Sequence, residues 1–420
     1  MPKQDQRARA VPPPPSGRAD RASYSDVLAR GEFRIIFAAD IVSMLGNIVA
    51  AVALTVLVYD ETRSPAAAAS VMALLFVPYL IGGALLSAAA DRLPARRMLV
   101  GCDLASAVLV AGMLIPAMPV PGLLALLFVA GLIAPVYQGV RSALLPEVLP
   151  PGPGYILGRA MMRMVAQSSQ IVGYGAGGLL LAILSPRAAL AADAASFAAS
   201  AALLRFGTRP RSAYATGSGS MARDSLAGLR EVLADRPTRR ILLFYWLVPA
   251  CAVAPEALAA PYAAHIGQPA RAAGFLLMGI PAGTVAADVL AARLLPSRLQ
   301  RRIIVPAGLL VFAPLAAFAV SPGLGLALGL LVVSGLGSAW GAGIDGLLIE
   351  TAPAGLRNRA LALCNAGLMF TQGMGFALWG IAGQYAPLPA VIPAAAVGGT
   401  LAVAALQPHR RARVAARSGR

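Results

Sequence analysis

Gly82-Gly83-Ala84-Leu85-Leu86-Ser87-Ala88-Ala89-Ala90-Asp91-Arg92-Leu93-Pro94-Ala95-Arg96-Arg97 changes character within a few residues. A run of small and apolar side chains stops at an acid and three arginines, and Met98 opens another apolar run. Backbone groups in hydrocarbon find no water to bond, so the chain crosses a bilayer as helices or as a closed barrel, and charges collect at the interface. The segment reads as the end of one membrane helix, a basic hairpin turn and the start of the next.

Working outward, composition extends this reading to the whole chain. Of 420 residues, 58% are hydrophobic and 13% charged, where soluble domains carry about 25% charged residues. About 20 apolar residues in helix cross ~30 Å of hydrocarbon. The apolar runs are long and continuous, unlike the ten-residue alternation of an outer-membrane barrel. The expected fold class is an all-α membrane protein with twelve transmembrane helices in two six-helix pseudo-repeats around a central cavity. The spans fall at Ile35–Tyr59, Ala67–Ala90, Met98–Met118, Leu123–Leu145, Leu157–Leu184 and Ala188–Leu204, then Ile241–Ala263, Ala270–Leu290, Ile303–Ser321, Leu324–Leu347, Arg359–Ala382 and Ala390–Leu406. Pro146–Pro153 reads as a break between spans.

The expected organisation is a disordered basic tail (1–33), an N-terminal lobe (34–205), an interlobe linker (206–240), a C-terminal lobe (241–406) and a second basic tail (407–420). The linker is Gly/Ser-rich at Thr216–Ser220, and Ala222–Asp235 has helical spacing suited to lying on the membrane surface. The first tail has no apolar stretch before Phe33, so it is not read as a signal peptide.

A net charge of +17 invites a nucleic-acid reading, but its distribution points elsewhere. All but three of the 35 Lys and Arg lie in the tails, the linker and one set of loops, or close to the span ends that meet them; Arg63, Arg187 and Arg271 are the exceptions. That is the positive-inside asymmetry, with both termini cytoplasmic in a bacterial inner (plasma) membrane and no nucleic-acid partner. Cys102, Cys251 and Cys364 stand singly in apolar runs and suggest neither a disulfide framework nor a zinc site.

The two halves repeat weakly. Ala90–Arg97 recurs as Ala291–Arg298, Leu145–Gly152 as Leu348–Gly355, and Arg159-Ala160 as Arg359-Ala360, at displacements of 201, 203 and 200 residues. Two parallel six-span repeats are one of the known transporter plans. Ala292 stands where the second copy would place Asp91.

The hairpin resembles the signature loop of the major facilitator superfamily, roughly G-x-x-x-G-x-x-x-D-R-x-G-R-R-R. Gly83, Asp91, Arg92, Arg96 and Arg97 match it, while Ser87, Pro94 and Ala95 depart from it. The resemblance implies a two-lobed secondary transporter whose Asp91, Arg92, Arg96 and Arg97 latch helices on the cytoplasmic side. Asp103, Arg141 and Glu147, near the same ends of spans 3 and 4, are expected to join that network, with Asp288, Asp345, Glu350 and Arg359 as the counterpart in the second lobe. Ser43–Asn47, Ala53-Leu54, Val58-Tyr59, Thr62–Pro65, Cys102–Leu104 and Asp193–Phe197 are similar to the enterobactin-exporter-like branch, which is mostly efflux proteins. Such exporters often carry G-P-x-x-G-G in span 5. Here it is Gly173-Tyr174-Gly175-Ala176-Gly177-Gly178, with Tyr174 in place of the proline.

A charge at mid-bilayer costs about 2.5–3.5 kcal/mol on insertion scales, so intramembrane polar residues are worth placing. Asp40, Ser43 and Asn47 share one face of span 1. Asp40 reads either as the site of a coupling proton or cationic substrate group, or as an interfacial acid paired with an arginine. Arg163, Gln167, Gln170 and Tyr174 form a stripe on span 5. Tyr137, Gln138 and Arg141 on span 4, Ser334, Ser338 and Asp345 on span 10, and Asn365 and Gln372 on span 11 add to it. These read as cavity lining or as interhelical hydrogen bonds. Glu256, between Pro255 and Pro261, reads as an outer gate, a second proton site or a water-exposed acid; Trp340 and Trp379 read as stacking surfaces or packing.

There is no phosphate loop, and His265 and His409 lie in a loop and a tail, so no enzyme, metal or cofactor is expected. The expected function is proton-gradient-driven export of an amphipathic small organic molecule (a drug, siderophore or natural product) by a monomer in the lipid bilayer. An uptake permease or facilitator of the same fold, or a non-transporting scaffold, are the alternatives.

Overall fold

The computed structural model describes residues 23–90, 93–149, 152–211, 232–294, 297–352 and 357–407, and among these there are helices and no strands. Asp91, Arg92, most of the expected linker and most of both tails lie outside the described residues, as do the side chains of Arg163, Gln167, Asp345 and Arg359. A short helix, α1 (Tyr24–Leu28), leads into α2 (Gly31–Thr62), α3 (Pro65–Ala90), α4 (Ala95–Gly112), α5 (Val120–Val148), α6 (Pro153–Leu180) and α7 (Pro186–Gly207). The second bundle begins with α8 (Arg236–Ala252), α9 (Ala254–Ala257), α10 (Ala259–His265), α11 (Arg271–Leu294) and α12 (Ser297–Arg302). It continues through α13 (Ile304–Phe312), α14 (Leu324–Leu336), α15 (Trp340–Thr351), α16 (Arg357–Tyr385) and α17 (Leu388–Leu406), with 3₁₀ turns over Ala313–Val320 and Gly337–Ala339.

Among the described residues six stretches are long and apolar enough to cross a membrane: 31–62, 120–148, 186–207, 236–257, 271–291 and 388–406. The apolar segments 65–78, 304–320 and 324–339 are shorter. With α4, α6 and α16, whose runs contain charges, they make up the twelve crossings of the fold.

Local chemistry sets the ends of these helices. Ser185 and Asp235 cap α7 and α8, accepting from the N–H of Ala188 (3.2 Å) and Thr238 (3.0 Å), each with a proline in the first turn where no N–H is needed. Expected span 7 is broken into α8, α9 and α10, because Pro249, Pro255 and Pro261 remove backbone donors and crowd the preceding turn. Expected spans 9 and 10 are likewise interrupted by 3₁₀ turns. Pro146, expected to break the chain, lies inside α5. In the last turn a proline forfeits one hydrogen bond and leaves the next in place, here Leu149 N–H to Leu145 C=O at 2.9 Å. Span 3 stops at Gly112, short of Met118, and Ala117 turns at φ 58°.

In the first bundle α2 packs on α6 and α7, α3 on α5, and α4 on α5 and α7; in the second, α8 packs on α16 and α17, and α11 on α14. The bundles meet along α3–α16 and α6–α11. These seams close at the end remote from the basic loops. Phe76 stacks on Phe376 at 5.5 Å, and Ser64 Oγ donates to Gln384 Oε1 at 2.8 Å. At Gly178 and Gly274 the backbones touch: a Cβ on Gly178 would lie 2.7 Å from Arg271 O, and one on Gly274 would lie 2.7 Å from Tyr174 O. Small residues permit this approach where hydrophobic force between lipid-solvated helices is weak.

At the basic end, arginines bind the carbonyl termini of helices that finish there. Arg30 donates to Val148 C=O at 3.4 Å, Arg96 to Thr208 C=O at 3.3 Å and Arg240 to Ala405 C=O at 3.2 Å. Cations belong there because a helix C-terminus exposes unpaired carbonyls and carries partial negative charge.

Candidate functional site

The N-terminal bundle has a divided core. Phe33, Ile36, Ala39, Leu99, Val140, Leu144 and Leu204 form one apolar cluster toward the basic end, while Leu54, Val58, Val110, Met113, Leu123 and Leu190 form another at the far end. Between them lies a cavity of about 190 Å³ bounded by α2, α3, α4, α5 and α7. Asp40, Ser43, Asn47, Asp103, Ser106, Tyr137, Gln138 and Asp193 line it, with alanine, leucine, valine, methionine and phenylalanine between them.

Three carboxylates thus share one low-dielectric space. Asp40 (2% exposed) is paired with Arg141, whose other terminal nitrogen donates to Gln138 Oε1. Both members of that pair are largely buried, at 3% and 15% side-chain exposure. Removing one partner from such a pair is costly because the other is left charged in a poor solvent. Asp103 (3% exposed) accepts from Ser200 Oγ at 2.6 Å, tying α4 to α7. Asp193 (1% exposed) accepts from Ser196 Oγ at 3.2 Å through Oδ1. Asp40 Oδ2, Asp193 Oδ2 and the Tyr137 hydroxyl are buried with no hydrogen-bond partner. Gly46 lets the Asp193 carboxylate come against α2, since a Cβ there would lie 2.7 Å from Asp193 Oδ1.

The structure therefore brings Asp40, Asn47, Tyr137 and Gln138 together as cavity residues, with Arg141 bound to Asp40 and Gln138. Of the two sequence readings of Arg141, an interhelical partner on span 4 and a member of the loop network with Asp103 and Glu147, the structure has the first, with Asp40 as its partner. Asp103 turns inward to Ser200, away from that network. Asp193, Ser200 and Ser106 were not singled out as site residues. Their signal was present: Asp-x-x-Ser occurs at 40–43, 103–106 and 193–196, each on one helix face.

Tyr174 of α6 packs against the core of the second bundle, and Glu256 lies half-buried on α9. Gln170 and Gln372 are half-buried on α6 and α16, and Asn365 is exposed on α16. Trp340 is not a free stacking surface: it is 7% exposed, with its ring edge-on to Phe244 and Tyr245 at 5.5 Å each. A tryptophan on a helix broken by a 3₁₀ turn is drawn into the bundle to bury its large apolar area. Ser334 donates to Val311 C=O at 2.6 Å and joins two helices, and Trp379 Nε1 donates to Ala250 C=O at 2.9 Å.

The charges at the basic end form a strap around Arg211. Its guanidinium grips Glu32 at 2.5 and 2.9 Å and reaches Glu147 at 2.8 Å, while Arg209 N–H donates to Glu32 at 2.9 Å. The chain entering the linker is thereby fastened across the ends of α2 and α5. Arg97 is exposed, and Glu350 pairs with Arg301 of α12.

The two helical bundles, joined along α3–α16 and α6–α11, are the plan of a two-lobed membrane transporter. The Major Facilitator Superfamily pattern matches residues 36–299, and the chain belongs to that superfamily. The nucleoside transporter NupG has a similar structure at TM-score 0.66 and 16% identity, covering 89% of this chain and 98% of that one. So do a bacterial homologue of the iron transporter ferroportin in an inward-facing state (0.63, 16%, 93% and 100%) and the D-xylose-proton symporter (0.63, 16%, 91% and 97%). Identity this low carries the fold alone. No curated protein matches the chain in sequence.

Proposed function

We propose that this transporter is a proton-coupled exporter of an amphipathic small organic molecule, of the enterobactin-exporter-like branch, monomeric in a bacterial inner membrane with its basic end in the cytoplasm. The observation that carries the reading is the buried Asp40–Arg141 pair beside a cavity, in a molecule whose bundles close at the end away from the basic loops. With that orientation the end closed in the present state is the outer one. Protonation of Asp40 removes the charge that holds Arg141, so the α2–α5 contact weakens when a proton arrives and tightens when it leaves. Substrate enters from the cytoplasmic side, and rocking of the bundles about the α3–α16 and α6–α11 seams exposes it outside. Asp91, Arg92, Arg96 and Arg97 latch the cytoplasmic side when it closes. Gln167, Gln170, Asn365 and Gln372 line the route, and Tyr174 with Glu256 seals the outer end.

Everted membrane vesicles test this. Energised vesicles are expected to accumulate a fluorescent amphipathic dye and to lose it on adding a protonophore, and Asp40→Asn is expected to abolish the proton dependence. Full proton-dependent transport by Asp40→Asn would remove the coupling role. Energised uptake in right-side-out vesicles would reverse the direction to that of a permease, and no transport in either would leave a scaffold.

A further inference from the structure

We infer that the cavity inside the N-terminal bundle is a binding site for a small organic cation bearing N–H donors, a protonated amine, with Asp193 as its principal acceptor. The starting point is charge. Asp40, Asp103 and Asp193 face this space, and Arg141 is the guanidinium paired to one of them. An ionised carboxylate without a partner in a medium of low dielectric is strongly disfavoured, so the remaining negative charge calls for protons or for a bound cation.

The hydrogen bonding points to where the cation sits. Arg141 takes one oxygen of Asp40, Ser200 takes one of Asp103 and Ser196 takes one of Asp193. Asp193 Oδ2, Asp40 Oδ2 and the Tyr137 hydroxyl are left over, all buried and all belonging to residues that line the same cavity. Asp193 Oδ2, on a residue that is almost wholly buried and lines the cavity, is thereby left as an acceptor for an N–H donor. A Cβ at Gly46 would run into Ser196 Oγ and Asp193 Oδ1, so a side chain there would disturb the Ser196–Asp193 pair that orients the carboxylate.

The lining is a poor fit to a metal ion. Among the described residues no three His, Cys, Asp or Glu side chains converge closely enough to hold a metal ion. The acids are spread around a space of about 190 Å³, room for several non-hydrogen atoms, with Leu54, Val110, Met113 and Phe197 to cover an apolar body. Asn47 is exposed and lines the cavity, which marks the way in. The proposal rests on the transport reading only for the role of the cation as cargo; binding itself needs no gradient.

Calorimetry on the full-length protein in detergent tests it, with butylammonium as the probe against tetramethylammonium and sodium chloride at equal ionic strength. Saturable binding of butylammonium is expected, with weaker binding of tetramethylammonium, which has no N–H, and none of sodium. Asp193→Asn is expected to weaken butylammonium about thirtyfold, the scale of losing one partner of a buried charge pair. Gly46→Ala, which keeps every charge, is expected to weaken it as well. No saturable binding by the wild type, equal binding of sodium, or an unchanged affinity in a folded Asp193→Asn or Gly46→Ala protein would overturn the assignment. Butylammonium binding without proton-coupled dye transport would keep the cation site and discard the export reading; dye transport without butylammonium binding would do the reverse.

Discussion

The two bundles descend from one repeated plan and solve their interiors in opposite ways. In the N-terminal bundle α2 and α5 run unbroken, and the core is cut in two by a polar cavity holding Asp40, Asp103 and Asp193. In the C-terminal bundle the crossings at 236–265, 304–320 and 324–351 are broken. Its described core is one continuous apolar body around Phe244, Phe312, Phe318, Trp340 and Phe376. That body also takes in Val52, Val56, Ala69 and Met72 of the first bundle at the closed end. The difference teaches a division of labour. A buried charged cavity has few well-satisfied arrangements, so it needs regular helices to hold its partners in register. An aromatic core tolerates broken helices, because dispersion and burial are not directional.

The strongest way to break this comparison is Arg141→Met. It leaves Asp40 buried and unpaired, and should cost about 3–5 kcal/mol in unfolding experiments, with loss of transport. The double variant Asp40→Asn/Arg141→Gln should recover much of the stability and none of the proton dependence. If Arg141→Met unfolds like wild type, charge does not organise the first bundle. The matching change in the second bundle is Trp340→Ala, expected to cost about 3 kcal/mol through the cavity it leaves. Its KM for any transported dye should stay unchanged, and a shifted substrate range would return Trp340 to the binding site.

A smaller effect sharpens how the bundles meet. Gly178→Val or Gly274→Val overpacks the seam and should shift the balance against the closed outer end by about 1–3 kcal/mol. Spin-label distances across that end should lengthen, and unchanged distances would place the hinge elsewhere. The smallest effect concerns the Arg211 strap. Glu32 accepts from the Arg209 N–H and from the Arg211 guanidinium, so removing its charge should loosen the chain there. Hydrogen exchange at Arg209, whose N–H donates to Glu32, should be faster in Glu32→Gln than in the wild type at the same neutral pH; an unchanged rate would dismiss the strap.

Much of this architecture is legible in the chain itself. The apolar runs, the prolines at 249, 255 and 261 and the paired displacements near 200 residues carry the twelve crossings and the two bundles. The Asp40, Ser43 and Asn47 face is legible too, because helical periodicity is a local property. The sequence leaves Arg141 with two readings, the polar face of span 4 and the loop network, for a physical reason. Its position near a helix end suits a loop network equally well, and a long flexible guanidinium reaches inward or outward without leaving a trace in the pattern. Asp193 escapes notice because nothing local to its helix shows which neighbour its polar face will meet.

What the sequence determined by itself is a helical chain dissolved in lipid, since composition and run length answer to the solvent and the hydrogen-bonding rule of the bilayer. What only the tertiary structure decided is which charges share a space. Asp40 and Arg141 lie 101 residues apart, and Asp103 and Ser200 lie 97 apart. Periodicity gives each helix its polar face, but the partner of that face is chosen by packing among all the helices at once.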